Sequence, residues 1–307
     1  MKAAFIEEQG GPEVLKYGDV PDPVAGSNEV VVDIHAASVN GADWKVRSGT
    51  SGSITEFPYI LGRDFSGLIS AVGEEVEDLG VGDAVFGVCD VGQEVAYAEK
   101  IAIKASIVAR KPDTIPHHDM AALSLTGLTA LVAVEDTLKL QSGERILIQG
   151  GAGGVAGFAI QLTKHLGAYV ITTASAVNHD FLRGLGADEI IDYHAQDFAD
   201  RVSDCDALFE TVGGDVAQRS FAVLKPGGRA AFIASGATAP ESPRADLQSL
   251  RPKVGRDRQH LEHIAALVEA GVIRRPEITL FPLSEAVAAH IISESRHLRG
   301  NLVFAAR

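Results

Sequence analysis

The stretch Arg145-Ile146-Leu147-Ile148-Gln149-Gly150-Gly151-Ala152-Gly153-Gly154-Val155-Ala156-Gly157-Phe158 decides the fold of this chain. Residues 145–149 form a short buried-strand pattern. After the glycines the apolar period changes: Val155, Phe158, Ala159, Leu162 and Leu166 share one helical face, with Gly167 placed to end the helix. Between them, Gly151-Ala152-Gly153-Gly154-Val155-Ala156 fits the pattern G-x-G-x-x-G/A. Gly151 permits a tight turn, Gly153 lets backbone approach a pyrophosphate, and Ala156 keeps the helix close to the sheet. The helix N-terminus offers free N–H groups and partial positive charge to phosphate. The pattern alone is weak, but strand before and helix after are the context that makes it a dinucleotide loop. The alternative is a glycine turn without a ligand.

Working outward from the loop, strands and helices alternate. Strands are expected at 169–173, 189–193, 206–210 and 229–234. Asn178 is placed to cap a short helix ending near Gly186, and another helix is expected at 216–224. Such alternation implies a parallel sheet with helices on both faces. An edge strand is expected at 247–251, then a helix at 258–270, a strand at 278–281, another helix, and a last strand at 301–304. The first ~115 residues have a different texture, short strands broken by Gly and Pro, for example 2–7, 29–38, 64–72 and 83–88. The closing strand shares that texture, so the C-terminus is expected to return to the β-rich part.

Ligands sit at the carboxyl ends of parallel strands. This marks Thr211-Val212-Gly213 and Ala234-Ser235-Gly236 as cofactor contacts, or otherwise as plain loop residues. The second strand distinguishes the two nicotinamide cofactors, because an acid at its end binds a ribose 2′-hydroxyl and repels a 2′-phosphate. Here the strand runs into Thr172-Thr173-Ala174-Ser175-Ala176, with no acid before Asp180, which favours NADPH and marks Ser175. Arg183 is the nearest base.

The chain has 307 residues, enough for two domains, and a formal charge of −14 dispersed along its length. That surface repels nucleic acid and anionic membrane. No apolar run approaches the roughly 18 residues of a membrane span, and the start does not read as a targeting segment. With only Cys89 and Cys205 there is no disulfide framework, and a cytoplasmic location is expected. Cys89 reads as a small buried hydrophobe. His260 and His263 read as a solvated helix face, and His117-His118 as residues preceding a helix without a partner.

The chain resembles the medium-chain dehydrogenases/reductases of the zinc-independent, quinone oxidoreductase-like branch. The resemblance runs through Ala36-Ala37-Ser38-Val39-Asn40-Gly41-Ala42-Asp43-Trp44-Lys45, Ile60-Leu61-Gly62-Arg63-Asp64-Phe65-Ser66-Gly67 and Gly82-Asp83-Ala84-Val85-Phe86-Gly87. It continues in Leu125-Thr126-Gly127-Leu128-Thr129-Ala130, the glycine loop, Leu224-Lys225-Pro226-Gly227-Gly228 and Gly300-Asn301-Leu302-Val303. It implies an α/β protein: a Rossmann doubly wound parallel sheet over 119–256, and a GroES-like β-barrel domain from 1–118 and 257–307. The active cleft is expected between them.

In zinc-dependent relatives a Cys and a His hold the metal where this chain has Asn40 and its neighbours, and Arg63 with Asp64. No metal is therefore expected. The resemblance implies hydride transfer from NADPH to a quinone or an α,β-unsaturated carbonyl, with Thr126 beside the nicotinamide and Asn40 and Tyr59 as hydrogen-bond donors. Asp43 and Trp44 would shape that loop, and Tyr193 and Asn301 would complete the cofactor contacts. A homodimer is expected. Alternatives are a reductase of short 2-alkenals or enoyl thioesters, and a non-catalytic NADPH-binding sensor or structural protein.

Overall fold

A computed structural model of the chain describes residues 1–90, 92–234, 236, 238–296 and 298–306. The chain forms two compact units, Met1–Leu125 with Gly255–Arg307, and Thr126–Val254. The first division falls seven residues after the expected 118/119, inside the helix His117–Leu131. No break in composition marks a boundary that runs through a continuous helix. The second falls at 254/255 rather than 256/257.

In the unit Thr126–Val254 six parallel strands lie in the order Glu189–Asp192, Tyr169–Ala174, Arg145–Ile148, Cys205–Glu210, Leu224–Phe232, Gln248–Leu250. Numbered along the chain this is 3-2-1-4-5-6, the doubly wound arrangement with its switch point between the first and fourth strands. Strands covered on both faces become continuous apolar runs. Leu147, Ile171, Ile191, Leu208 and Phe232 accordingly pack in one core with Phe198 and Phe221. The helix Gly154–His165 follows the first strand and buries Ala156, Phe158, Ala159, Ile160 and Leu162. Gly167 beyond it has φ +83°, a left-handed stop that glycine adopts without strain.

The other unit is β-rich. Its larger sheet runs Ile278–Pro282, Asn301–Ala305, Glu29–Val39, Asp64–Val72, Ala84–Val88, Val108–Arg110, with Lys100–Lys104 also paired to Glu29–Val39. The closing strand lies antiparallel on Glu29–Val39, so the C-terminus does return to this unit. Register shifts at Val31/Val32 and Ile34/Ala36 bend the long strand. At Gly67 a Cβ would stand 2.0 Å from the Asp33 carbonyl oxygen, so only glycine permits this strand pairing. A smaller sheet pairs Lys16–Asp19, Lys2–Ile6 and Tyr59–Ile60.

Several elements differ from expectation. The expected helix 216–224 is Gly214–Arg219 followed by a 3-10 turn, and the next strand begins at Leu224 rather than 229. The strand absorbs Pro226 and the glycines because pairing with its neighbour shifts register between Cys205 and Ala207. Asn178 stands at the N-cap of His179–Leu185 but makes no side-chain cap; its amide donates to Ser175 Oγ instead. Helix Gly41–Arg47 and strands Tyr59–Ile60, Lys100–Lys104 and Val108–Arg110 are too short for periodicity to reveal. His117 and His118 open a helix rather than precede it. His117 Nδ1 meets Ser66 Oγ at 2.8 Å, and its ring packs against His35. The 21-residue helical stretch His117–Thr137 is long and apolar enough to cross a membrane by composition, contrary to expectation, yet it is mostly buried as a core helix is.

Candidate active site

The glycine loop rises from Ile148 at the end of the central strand. Gly150 N–H donates to Thr173 Oγ at 3.1 Å, and Gly151 N–H donates to the Thr173 carbonyl at 3.0 Å. The loop is thereby tied to the second strand. A Cβ on Gly151 would stand 2.3 Å from Thr172 Oγ1, whereas at Gly153 the nearest atom is a backbone oxygen 3.5 Å away. Helix Gly154–His165 carries no side-chain cap, so its first N–H groups face the loop without a protein acceptor from the N-cap side chain. A pyrophosphate fits such a cradle, because oriented N–H groups and the helix dipole replace a countercharge.

Neighbouring strand ends complete this edge. Thr211 Oγ donates to the Gln149 carbonyl at 2.8 Å. Gly213 has φ +84°, and a Cβ there would meet the Ala234 carbonyl at 2.9 Å. Buried Glu210 accepts the N–H groups of Val212 and Gly213 at 2.8 and 2.9 Å, holding the turn that brings them to the edge. Burial pushes the Glu210 carboxyl up, and those two N–H groups oppose the shift. Asp180, the first acid after the second strand, pairs with Arg183 at 2.5 Å on its own exposed helix.

The β-rich unit holds a buried polar network around Asn40. Asn40 precedes Gly41–Arg47 and donates its backbone N–H to Asp43 Oδ2 at 2.8 Å. The Tyr97 hydroxyl donates to the same oxygen at 2.7 Å. The Asn40 amide nitrogen reaches Asp64 Oδ1 at 3.1 Å and Ser38 Oγ at 3.2 Å. Asp64 also accepts the Ser38 hydroxyl at 2.7 Å and the Leu125 N–H at 3.1 Å. Burial raises it to about 7 against these donors. The Arg63 guanidinium, 25% exposed, lies 3.5 Å from Asp43 and forms a short ion pair with Glu94. Burial lifts Glu94 to about 7 and Tyr59, half-buried beside it, to about 12.

The helix carrying Asp43 is clamped at its other end. Arg47, with no exposed surface, donates to Glu294 Oε2 at 2.8 Å and to the Gly10 carbonyl at 3.2 Å, and it meets His290 Nδ1 at 3.1 Å.

Comparison with known proteins assigns this architecture. The profile of the alcohol dehydrogenase GroES-like domain matches residues 26–113, and that of the zinc-binding dehydrogenases matches residues 185–304. A quinone oxidoreductase of Pseudomonas aeruginosa is 33% identical, the alignment covering 96% of each chain. The chain belongs to the quinone oxidoreductase branch of the medium-chain dehydrogenases/reductases. A 2-methylene-furan-3-one reductase of tomato is 32% identical over 78% of this chain; the alignment spans 64% of that protein's length. The crystal structure of Escherichia coli quinone oxidoreductase complexed with NADPH superposes with a TM-score of 0.92 at 27% identity, covering 99% of this chain and 100% of that one. The protein is a medium-chain oxidoreductase of nicotinamide-cofactor type, with a GroES-like domain and a parallel-sheet domain.

In this quinone oxidoreductase relative, the residues do not suit the metal named by the second profile. Arg63 already places a cation among the acids, Asn40 directs its amide at Asp64, and among the described residues no three His, Cys, Asp or Glu side chains group as ligands. Of the residues marked from sequence, Gly151, Ala152, Gly153, Gly154, Val155, Ser175, Thr211, Val212, Gly213 and Ala234 share the carboxyl edge of the parallel sheet, and Tyr193 follows its outermost strand. Ser235 lies outside the described residues. Thr126 is buried in the helix His117–Leu131. Asn301 is buried in the β-rich unit and donates to the Ala122 carbonyl at 3.3 Å.

Glu94, Tyr97, Glu210 and Arg47 carry no motif, and sequence reasoning missed them. A buried polar group is recognised by its partners; those of Glu94, Tyr97 and Arg47 are distant in the chain, and Glu210 holds N–H groups of a turn that no motif marks. His260 is engaged by Asp257 at 2.7 Å, within its own helix start. Cys89 is buried and its thiol is pushed up to about 12 by burial, which leaves it unreactive.

Proposed function

We propose that this oxidoreductase reduces quinones or α,β-unsaturated carbonyls with NADPH and without zinc. The observation that carries the reading is the cradle at Gly151, closed to any Cβ and set before an uncapped helix, with no acid at the end of the second strand. When bound there, the nicotinamide supplies a hydride. The chain's own groups must then stabilise charge developing on the acceptor oxygen and return a proton. Asn40 already directs its amide at Asp64 and Ser38, so Tyr59 is the donor this reading favours. Its raised pKa keeps the phenol protonated throughout the neutral range. The relatives named above, a quinone oxidoreductase and a 2-methylene-furan-3-one reductase, support this substrate class.

Steady-state oxidation of NADPH against a panel of quinones, cyclic enones, short 2-alkenals and enoyl thioesters tests the reaction. Reduction of quinones or enones is expected, and a preference for enoyl thioesters would move the assignment to that class. Calorimetric titration tests the cofactor: NADPH is expected to bind at least tenfold more tightly than NADH, and equal affinities would overturn the reading of Thr172 to Ala176. Homodimer formation belongs to the same proposal. The parallel sheet ends at Gln248–Leu250, an edge open to strand addition, and light scattering after size exclusion measures the mass directly.

A further inference from the structure

Asp43, Asp64 and Glu94 are buried acids of this network, the first and last of them against Arg63, and they are not equivalent. Asp64 is saturated by four donors: the Ser38 N–H and hydroxyl, the Asn40 amide and the Leu125 N–H. Asp43 is fully buried; one of its oxygens takes the Asn40 N–H and the Tyr97 hydroxyl, and the other lies 3.5 Å from Arg63 without a hydrogen bond. Glu94 differs. It is 9% exposed, and one oxygen pairs with Arg63. The other, like Asp43 Oδ1, has no partner in hydrogen-bond geometry among the described residues, but it alone has a phenol, Tyr59, acting on it. The half-buried Tyr59 hydroxyl stands beside this carboxyl. A buried carboxyl oxygen without a donor is tolerated when it carries its own proton.

We propose that Glu94 is a positioning residue that stores a proton and feeds it to Tyr59, making Tyr59 and Glu94 a two-step proton supply for acceptor reduction. The proposal rests on the reading of Tyr59 as donor. For an enone, two electrons arrive as hydride and form the new C–H bond at the β-carbon, leaving an enolate. The Tyr59 O–H bond then breaks as the α-carbon is protonated. The Glu94 carboxyl proton passes to the phenolate, and the carboxylate is reprotonated from water. Protonation of the enolate carbon leaves a strongly basic Tyr59 phenolate, and an adjacent carboxylic acid restores the phenol for the next turnover. The charged and titratable groups facing Glu94 are Arg63, which favours its ionisation, Asp43, which opposes it, and Tyr59; Tyr97 and Cys89 also lie within its field, and Arg256 stands near Arg63. With burial dominant, the acid titrates at about 7, where a proton reservoir works best.

The test pairs a spectroscopic and a kinetic measurement on the whole protein. Carbon-13 NMR of protein labelled at the Glu side-chain carboxyl is expected to show one resonance titrating near neutrality. It should be absent in E94Q and displaced in Y59F, a shift that needs no turnover to observe. In the wild type kcat for an enone should fall as pH rises through about 7. In E94Q this limb should vanish and kcat drop roughly 10- to 100-fold, with KM for NADPH unchanged, while E94D should restore part of the rate and an ionisation. A merely structural role would lower activity without removing the limb. The proposal is overturned if Glu94 titrates in the ordinary carboxylate range, or if E94Q keeps the limb. If the wild type reduces acceptors and E94Q behaves like it, only the role of Glu94 falls. If the wild type reduces no quinone or enone, the proposed function fails and this inference fails with it.

Discussion

At Gly151 a single hydrogen atom separates a phosphate cradle from a clash. An added methyl would press on Thr172 Oγ1 at 2.3 Å and on Leu182 at 3.1 Å. Thr172 cannot swing away without giving up its bond to the Ile148 carbonyl at 2.7 Å. G151A is therefore expected to displace the loop and weaken NADPH binding at least tenfold by fluorescence titration; an unchanged affinity would show that the loop does not hold the cofactor. Tyr97 is a second residue whose one atom matters. Its hydroxyl donates to a fully buried carboxyl. Y97F leaves that oxygen with one donor fewer, and a loss of roughly 1.5–3 kcal/mol is expected in urea unfolding.

Among the elements, short helices depend on their ends. Asp257 begins Arg258–Glu269 by accepting the His260 N–H at 2.9 Å, and it also engages the His260 ring. D257A removes both contacts and is expected to cost about 1 kcal/mol, read as a lower midpoint in thermal unfolding, with D257S recovering most of it. Gly41–Arg47 shows the opposite economy. It is two turns long and too short to be stable alone, yet both ends are fixed, by Asp43 at the start and by Arg47 against His290 and Glu294 at the close. This helix places Asn40 beside Asp64.

For the molecule as a whole, buried titratable groups set the response to pH. His290 is pushed down to about 3 by burial, then by Arg47, and His117 to about 4 by burial, then by His35. Because the unfolded imidazoles bind protons at about 6.5, the unfolded state takes up more protons below that pH. Stability contributed by these residues is therefore lost as pH falls from about 6.5 toward 3. Glu94 and Asp64 act in the opposite sense. Their folded values near 7 exceed the unfolded ones, so their contribution is present in acid and lost as pH rises through about 7. Replacing His290 with Asn removes one depressed group. The stability lost between pH 7 and pH 5 should then shrink by about 2 kcal/mol, even if the variant is weaker at pH 7. Urea unfolding at the two pH values measures the difference.

The parallel sheet, the glycine loop and the absence of an acid after the second strand were all legible in sequence, because each depends on local period and on residues close together in the chain. The edge strand at Gln248–Leu250 and the return of the C-terminus were legible for the same reason. Asn40, Tyr59, Thr126 and Asn301 came from the resemblance, not from any period. What the sequence determined by itself was thus the kind of fold and the phosphate cradle. Tertiary structure alone decided which acids are buried, that Asp64 is saturated while Glu94 keeps an open oxygen, and that Arg63 stands among them. The protonation of a carboxyl depends on desolvation and on neighbours within a few ångströms. Asp43, Arg63, Glu94 and Tyr97 become neighbours only when Gly41–Arg47 and the strands fold together.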